Sequence, residues 1–134
     1  MTVALNTEGK GAMSIAITGV ASTDNAGIGE IANQEGVSLL ITRATLYCAT
    51  ESTGSSDLSI GVTTTGAAAT DIINALDMNG LTEGGFYNCF AMQNTAKTAV
   101  AAPAVWTSAK YVTFTGSATS VGFTGTLYLE YIRV

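Results

Sequence analysis

The sequence predicts an all-β protein: an antiparallel two-sheet sandwich with jelly-roll-like connections and one short helix near 70–79. Three observations carry this. Apolar and polar residues alternate with period two at 13–18, 58–62, 110–115 and 123–129. Glycine- and hydroxyl-rich stretches punctuate these runs and supply turns. The composition is 47% hydrophobic and only 11% charged, well under the usual ~25% charged share and opposite to a disordered chain. The 134 residues suit a single domain, 1–134, which at this size buries roughly 68% of its unfolded surface and needs no disulfide staple.

Each element follows from its local pattern. Residues 1–12 precede the first clear strand and read as an N-terminal arm. In it Val3 and Leu5 alternate with small neighbours such as Thr2, a pattern suited to adding to another chain's sheet edge. "MSIAITGV" (13–20) sets Met13, Ile15 and Ile17 on one face. "ASTDNAGIGE" (21–30) reads as a loop. In 36–50, Val37, Leu39 and Ile41 hold one face, and Ala44, Leu46 and Cys48 then hold the other. A one-residue shift flips a strand's faces, so a bulge or break is expected between Leu39 and Ala44.

"ESTGSSD" (51–57) is a turn, and 58–64 returns with Leu58, Ile60 and Val62 inward, which together predict a β-hairpin. In "TDIINALDMNG" (70–80), Thr70 suits an N-cap, Asp71 the first turn and Gly80 the end, with Ile72, Ile73 and Leu76 as a stripe. Residues 84–92 read as a strand with aromatic residues on both faces, and 93–103 as a loop ending at the only proline. The strand at 110–115 points Val112 and Phe114 inward, and 117–134 completes a closing hairpin.

In that last strand Phe123, Leu127 and Leu129 form the core face. Thr124, Thr126, Tyr128 and Glu130 lie on the other face, which Ile132 and Val134 then make apolar. Two readings fit: a loop of the same chain covers this end, or a neighbouring subunit does. The second makes Tyr128, Ile132, Arg133 and Val134 the subunit interface, with Arg133 on the opposite face beside an acid near the boundary.

Catalytic chemistry finds few candidates. There is no histidine, so the commonest general base and metal ligand is missing. Cys48 and Cys89 lack the histidine partner of a thiol nucleophile and are too few for structural zinc. They permit one disulfide, but no export signal is visible and free buried thiols are expected. "GIGEIA" (27–32) matches a dinucleotide fingerprint without the strand–turn–helix context that gives it meaning. "DMNGLTEGG" (77–85) has acidic and amide residues at the wrong spacing for a calcium loop. Trp106 with Tyr47, Tyr87, Tyr111, Tyr128 and Tyr131 could line a sugar-binding surface, although aromatic residues on strands usually serve core and cross-strand pairs. No enzyme activity and no cofactor are expected. Five basic residues, scattered among ten acidic ones, do not make a nucleic-acid or anionic-membrane surface.

Two stretches, "LLITRATLYCATESTGSSDLSIGVTTTGAAATDIINALDMNG" and "KYVTFTGSATSVGFTGTLYLEYIRV", give the chain its resemblance to the small decoration (cement) proteins of tailed-bacteriophage capsids. They cover about half the chain and form a style rather than a signature motif. The resemblance implies a non-enzymatic virion protein, made in the bacterial cytoplasm. It implies a small homo-oligomer, most often a trimer, that binds the major capsid protein on the outside of the shell and stabilises it. The alternation in the N-terminal arm makes Thr2, Val3 and Leu5 the expected contact. Similar domains occur in carbohydrate- or receptor-binding head fibres and in tail components such as tail-tube subunits, and both alternatives stay open.

Overall fold

The computed structural model describes residues 9–25, 27–89 and 104–134. The regular elements among them are strands: β1 (Lys10–Thr18), β2 (Gly29–Ala32), β3 (Leu39–Thr50), β4 (Asp57–Thr63), β5 (Ile73–Asp77), β6 (Phe86–Asn88), β7 (Val105–Trp106), β8 (Tyr111–Gly116) and β9 (Thr124–Arg133). They make two sheets. The five-stranded sheet has the order β1-β9-β3-β6, with β7 also pairing β3; the four-stranded sheet has the order β2-β8-β4-β5. Every named ladder is antiparallel.

The alternation seen in the sequence becomes the sandwich core. Ile15, Ile17, Leu39, Ile41, Leu46, Leu127 and Leu129 from one sheet join Leu58, Ile60, Val112 and Phe114 from the other in one buried cluster. Each fully buried side chain of this kind stabilises the fold by about 1.5–3 kcal/mol. The expected change of face in β3 is present. Its ladder with β9 slips between Ile41 and Arg43, so Thr42 and Arg43 both face outward while Ile41 and Ala44 face the core.

The expected helix at 70–79 is absent: Ile73–Asp77 is the edge strand β5, paired with β4. Its spacing misleads for a physical reason. Leu58 and Ile60 oppose Leu76 and Ile73, so β5 carries one extra residue, and Ala75 sits there at φ 57°. That bulge lets Ile73 and Leu76 face inward three residues apart, which imitates one face of a helix.

The two expected hairpins are also absent. β3 and β4 lie in different sheets, as do β8 and β9. Their connections, 51–56 and 117–123, arch from sheet to sheet and bond to each other. Ala118 N–H donates to Ser56 Oγ (3.2 Å), Ser56 Oγ donates to the Ala118 carbonyl (2.9 Å), and Thr53 N–H donates to the Val121 carbonyl (3.0 Å). Sequence reasoning also missed two short strands, β2 in the stretch read as a loop and β7 at Trp106. The 93–103 loop lies outside the described residues.

Candidate interaction face

β9 runs between β1 and β3 in the middle of the five-stranded sheet. Leu127, Leu129 and Tyr131 are buried on one side, so the even residues of β9 form the centre of the sheet's outer face. Pairing register assembles the rest. Tyr128 lies between Ser14 and Thr45, Glu130 between Ala12 and Arg43, and Ile132 between Lys10 and Leu40. Val105 is opposite Leu40 and Phe86 opposite Tyr47. The β3 bulge sets Arg43 across from Glu130, and Thr42 Oγ1 steadies it by donating to the Glu130 carbonyl (3.2 Å). The Tyr47 and Phe86 rings pack with centroids 4.9 Å apart.

Large apolar side chains remain exposed here: Phe86 is 66% accessible, Val105 50%, Tyr128 44% and Val134 67%. Soluble surfaces seldom cluster such groups without a partner. Shallow grooves follow β9. One, of about 310 Å³, is lined by Arg43, Thr45, Phe86, Tyr128 and Glu130, and a larger one, of about 620 Å³, includes Lys10, Ala12, Thr42, Glu130 and Ile132.

The predicted interface residues divide. Tyr128, Ile132 and Val134 share the outer face, Ile132 half-buried there. Arg133 points to the other side and meets its acid within the same chain. Its Nε donates to Glu35 Oε2 at 2.7 Å, and Nη1 donates to the Lys10 carbonyl at 2.9 Å. Tyr131 Oη donates to Glu35 Oε1 at 2.8 Å, and the guanidinium sits 5.6 Å from the Tyr131 ring centroid. The Arg133 hydrogen bond, then that of Tyr131, holds the Glu35 carboxyl below its ordinary range, while burial pushes the Tyr131 hydroxyl up. This group clamps the end of β9, and Val134 N–H donates to the Ser38 carbonyl (2.9 Å). Thr2, Val3 and Leu5 lie outside the described residues. Sequence reasoning missed Leu40, Phe86 and Val105 as members of the face. The pairing of β3 with β9 brings Leu40 there, and its pairing with β6 and β7 brings Phe86 and Val105.

The outer face of the four-stranded sheet is covered by the chain itself. The 64–71 segment crosses it so closely that a Cβ at Gly61 would lie 2.2 Å from Asp71 Oδ1 and 2.6 Å from the Ala69 backbone. Asp71 accepts from Val62 N–H (2.7 Å), and Glu30 accepts from Thr65 Oγ1 and from Gly66 N–H. The Thr65 and then the Gly66 hydrogen bond lower the Glu30 carboxyl. Thr113 is fully buried beneath this cover and donates to the Gly61 carbonyl (3.3 Å), while Thr115 Oγ1 donates to the Asn25 carbonyl (3.0 Å).

The aromatic residues considered for sugar binding do not form one surface. Trp106 is fully buried, with Nε1 donating to the Lys110 carbonyl (2.9 Å), and Tyr131 is buried at the sheet end. Cys48 and Cys89 are free and buried. Burial pushes both thiols up, Cys89 to about 12. "GIGEIA" contributes the short strand β2, and within "DMNGLTEGG" Asp77 Oδ1 accepts from Asn79 N–H (3.0 Å) in a local turn.

The described residues form an all-β sandwich in which 64–71 crosses the outer face of the four-stranded sheet and none of them crosses that of the five-stranded sheet. No protein-family model matches the chain, and no curated protein matches it. Among solved structures it is similar to a chain in the capsid of Ralstonia phage GP4, with a TM-score of 0.55 and 13% identity over 100% of this chain and 92% of that one. At that identity the likeness is one of fold, along the whole length.

Proposed function

We propose that this protein is a non-enzymatic virion structural protein that decorates and stabilises the outside of a phage capsid as a small homo-oligomer. The observation that carries the reading is the end-to-end fold likeness to a chain of a phage capsid. The open face gives it a physical basis, since apolar and aromatic groups along β9 gain by burial against another subunit. The strand orders β1-β9-β3-β6 and β2-β8-β4-β5 support a jelly-roll connection, in which strands from the two ends of the chain lie side by side. Trimeric closure comes from the family resemblance. The shell contact is assigned to the segment before Lys10, with Thr2, Val3 and Leu5.

The test is co-sedimentation with expanded shells assembled from the major capsid protein of the phage whose virion carries this chain. Saturable binding that raises the shells' melting temperature is expected. No binding to expanded shells, together with absence from purified virions, would overturn the reading. A second reading, a glycan- or receptor-binding head-fibre module, is favoured by the shallow groove where Phe86 and Tyr128 flank Arg43 and Glu130. Glycan-array binding lost in Tyr128→Ala would select it. Long polymers in sedimentation would select a tail-tube subunit.

A further inference from the structure

The edges of the two sheets are treated unequally. β2 has four residues, β6 three and β7 two, and β5 is interrupted by its bulge at Ala75. Short length and bulges are the usual devices that stop a sheet edge from pairing with another chain. β1 has neither. It runs nine residues in unbroken register with β9, contains no proline, and carries one charge, Lys10, at its start.

The direction of its free backbone groups follows from two hydrogen bonds. Arg133 N–H donates to the Gly9 carbonyl (2.6 Å), and Gly19 N–H donates to the Phe123 carbonyl (2.8 Å). In this register the odd residues of β1 bond to β9. The N–H and C=O groups of Ala12, Ser14, Ala16 and Thr18 therefore point away from the sheet. Among the described residues no strand lies on that side.

We infer that β1 pairs antiparallel with β1 of a second copy about a two-fold axis at Ser14, joining two five-stranded sheets edge to edge. The register is self-complementary. Ser14 faces its own copy, Ala12 faces Ala16, and Lys10 faces Thr18, so no like charges meet. The three central pairs supply about six inter-strand hydrogen bonds. The outward side chains at 12, 14 and 16 are small and do not obstruct the approach. The joined edge also roofs a crevice of about 130 Å³ between β1 and β2, lined in part by Ile15, Ile17, Ile28 and Phe114. This contact is separate from the outer face and does not rest on the virion reading.

Register-specific cross-linking tests it. Directly hydrogen-bonded partners have Cα atoms about 5.5 Å apart, inside the disulfide range of about 4.4–6.8 Å. Ser14→Cys should oxidise to a covalent dimer. Ala12→Cys should not, because the two copies of residue 12 are offset by four residues, about 13 Å. An equimolar mixture of Ala12→Cys and Ala16→Cys should give the mixed dimer. Ser14→Pro removes a donor that β9 does not use, so it should keep its circular dichroism spectrum and lose a factor of two in mass. Absence of the Ser14→Cys dimer, equal cross-linking at positions 12 and 14, or unchanged mass in a folded Ser14→Pro protein would overturn the pairing. Unchanged mass with lost shell binding would instead assign the edge to a strand of the shell protein.

Discussion

The two outer faces of this sandwich solve the same problem differently. The four-stranded sheet is finished within the chain: 64–71 lies across Gly61 and Thr113, and Glu30 and Asp71 accept hydrogen bonds from the cover or the sheet. The five-stranded sheet keeps Phe86, Val105, Tyr128 and Val134 exposed on its outer side. The lesson is that apolar area on a strand's second face does not by itself require a partner. It does so where the chain supplies no cover, and among the described residues that is one sheet of two.

Three tests bear on this contrast, in falling order of effect. Gly61→Val should destabilise the folded chain by about 1–3 kcal/mol in urea denaturation, because the side chain must displace the Ala69 backbone. On the open face the β-branched swap Thr45→Val, which adds no volume, should stay within about 0.5 kcal/mol. Equal costs at both positions would erase the distinction. Next, Thr113→Val should cost about 0.5–1.5 kcal/mol by removing the buried donor to the Gly61 carbonyl. Smallest is Cys48→Ala with Cys89→Ala, which should lose modest packing and still assemble. In the native wild type both thiols should resist a thiol reagent at neutral pH, since burial raises them. Rapid labelling without unfolding would contradict that.

Acid should loosen the cover of the four-stranded sheet and the clamp at the end of β9 through different carboxylates. The folded-state values of Glu30 and Glu35 are lowered, so each contributes stability that is present above the unfolded value near 4.5 and is lost as pH falls through the folded value. Glu30→Gln and Glu35→Gln should each flatten the loss of stability below pH 4.5. An unchanged acid slope in both variants would remove these carboxylates from the account.

Much of this was legible in the sequence, and the failures share a cause. Period two reports which side chains share a face. It found the core sides of β1, β4, β8 and β9 and, from the switch between Leu39 and Ala44, the β3 bulge. It does not report which sheet a strand joins. The arches at 51–56 and 117–123 therefore looked like hairpin turns, although their bonds run to each other. A bulge also shifts the period, which is how Ile73 and Leu76 came to suggest a helix. For the candidate face, β9 announced Tyr128, Ile132 and Val134. Phe86 and Val105 join them only through long-range pairing with β3, which a local pattern cannot encode.

The central claim is that the outer face centred on β9 is buried between subunits. Light scattering of the wild type and of Ile132→Asp with Val134→Asp tests it most directly. The wild type should be a closed oligomer. The double variant should fold normally and fall to at most the β1-paired dimer, reaching the single chain when Ser14→Pro is added, because a carboxylate is costly to bury unpaired. A wild type that stays a single folded chain at high concentration, or a double variant that keeps its full mass, would contradict the account.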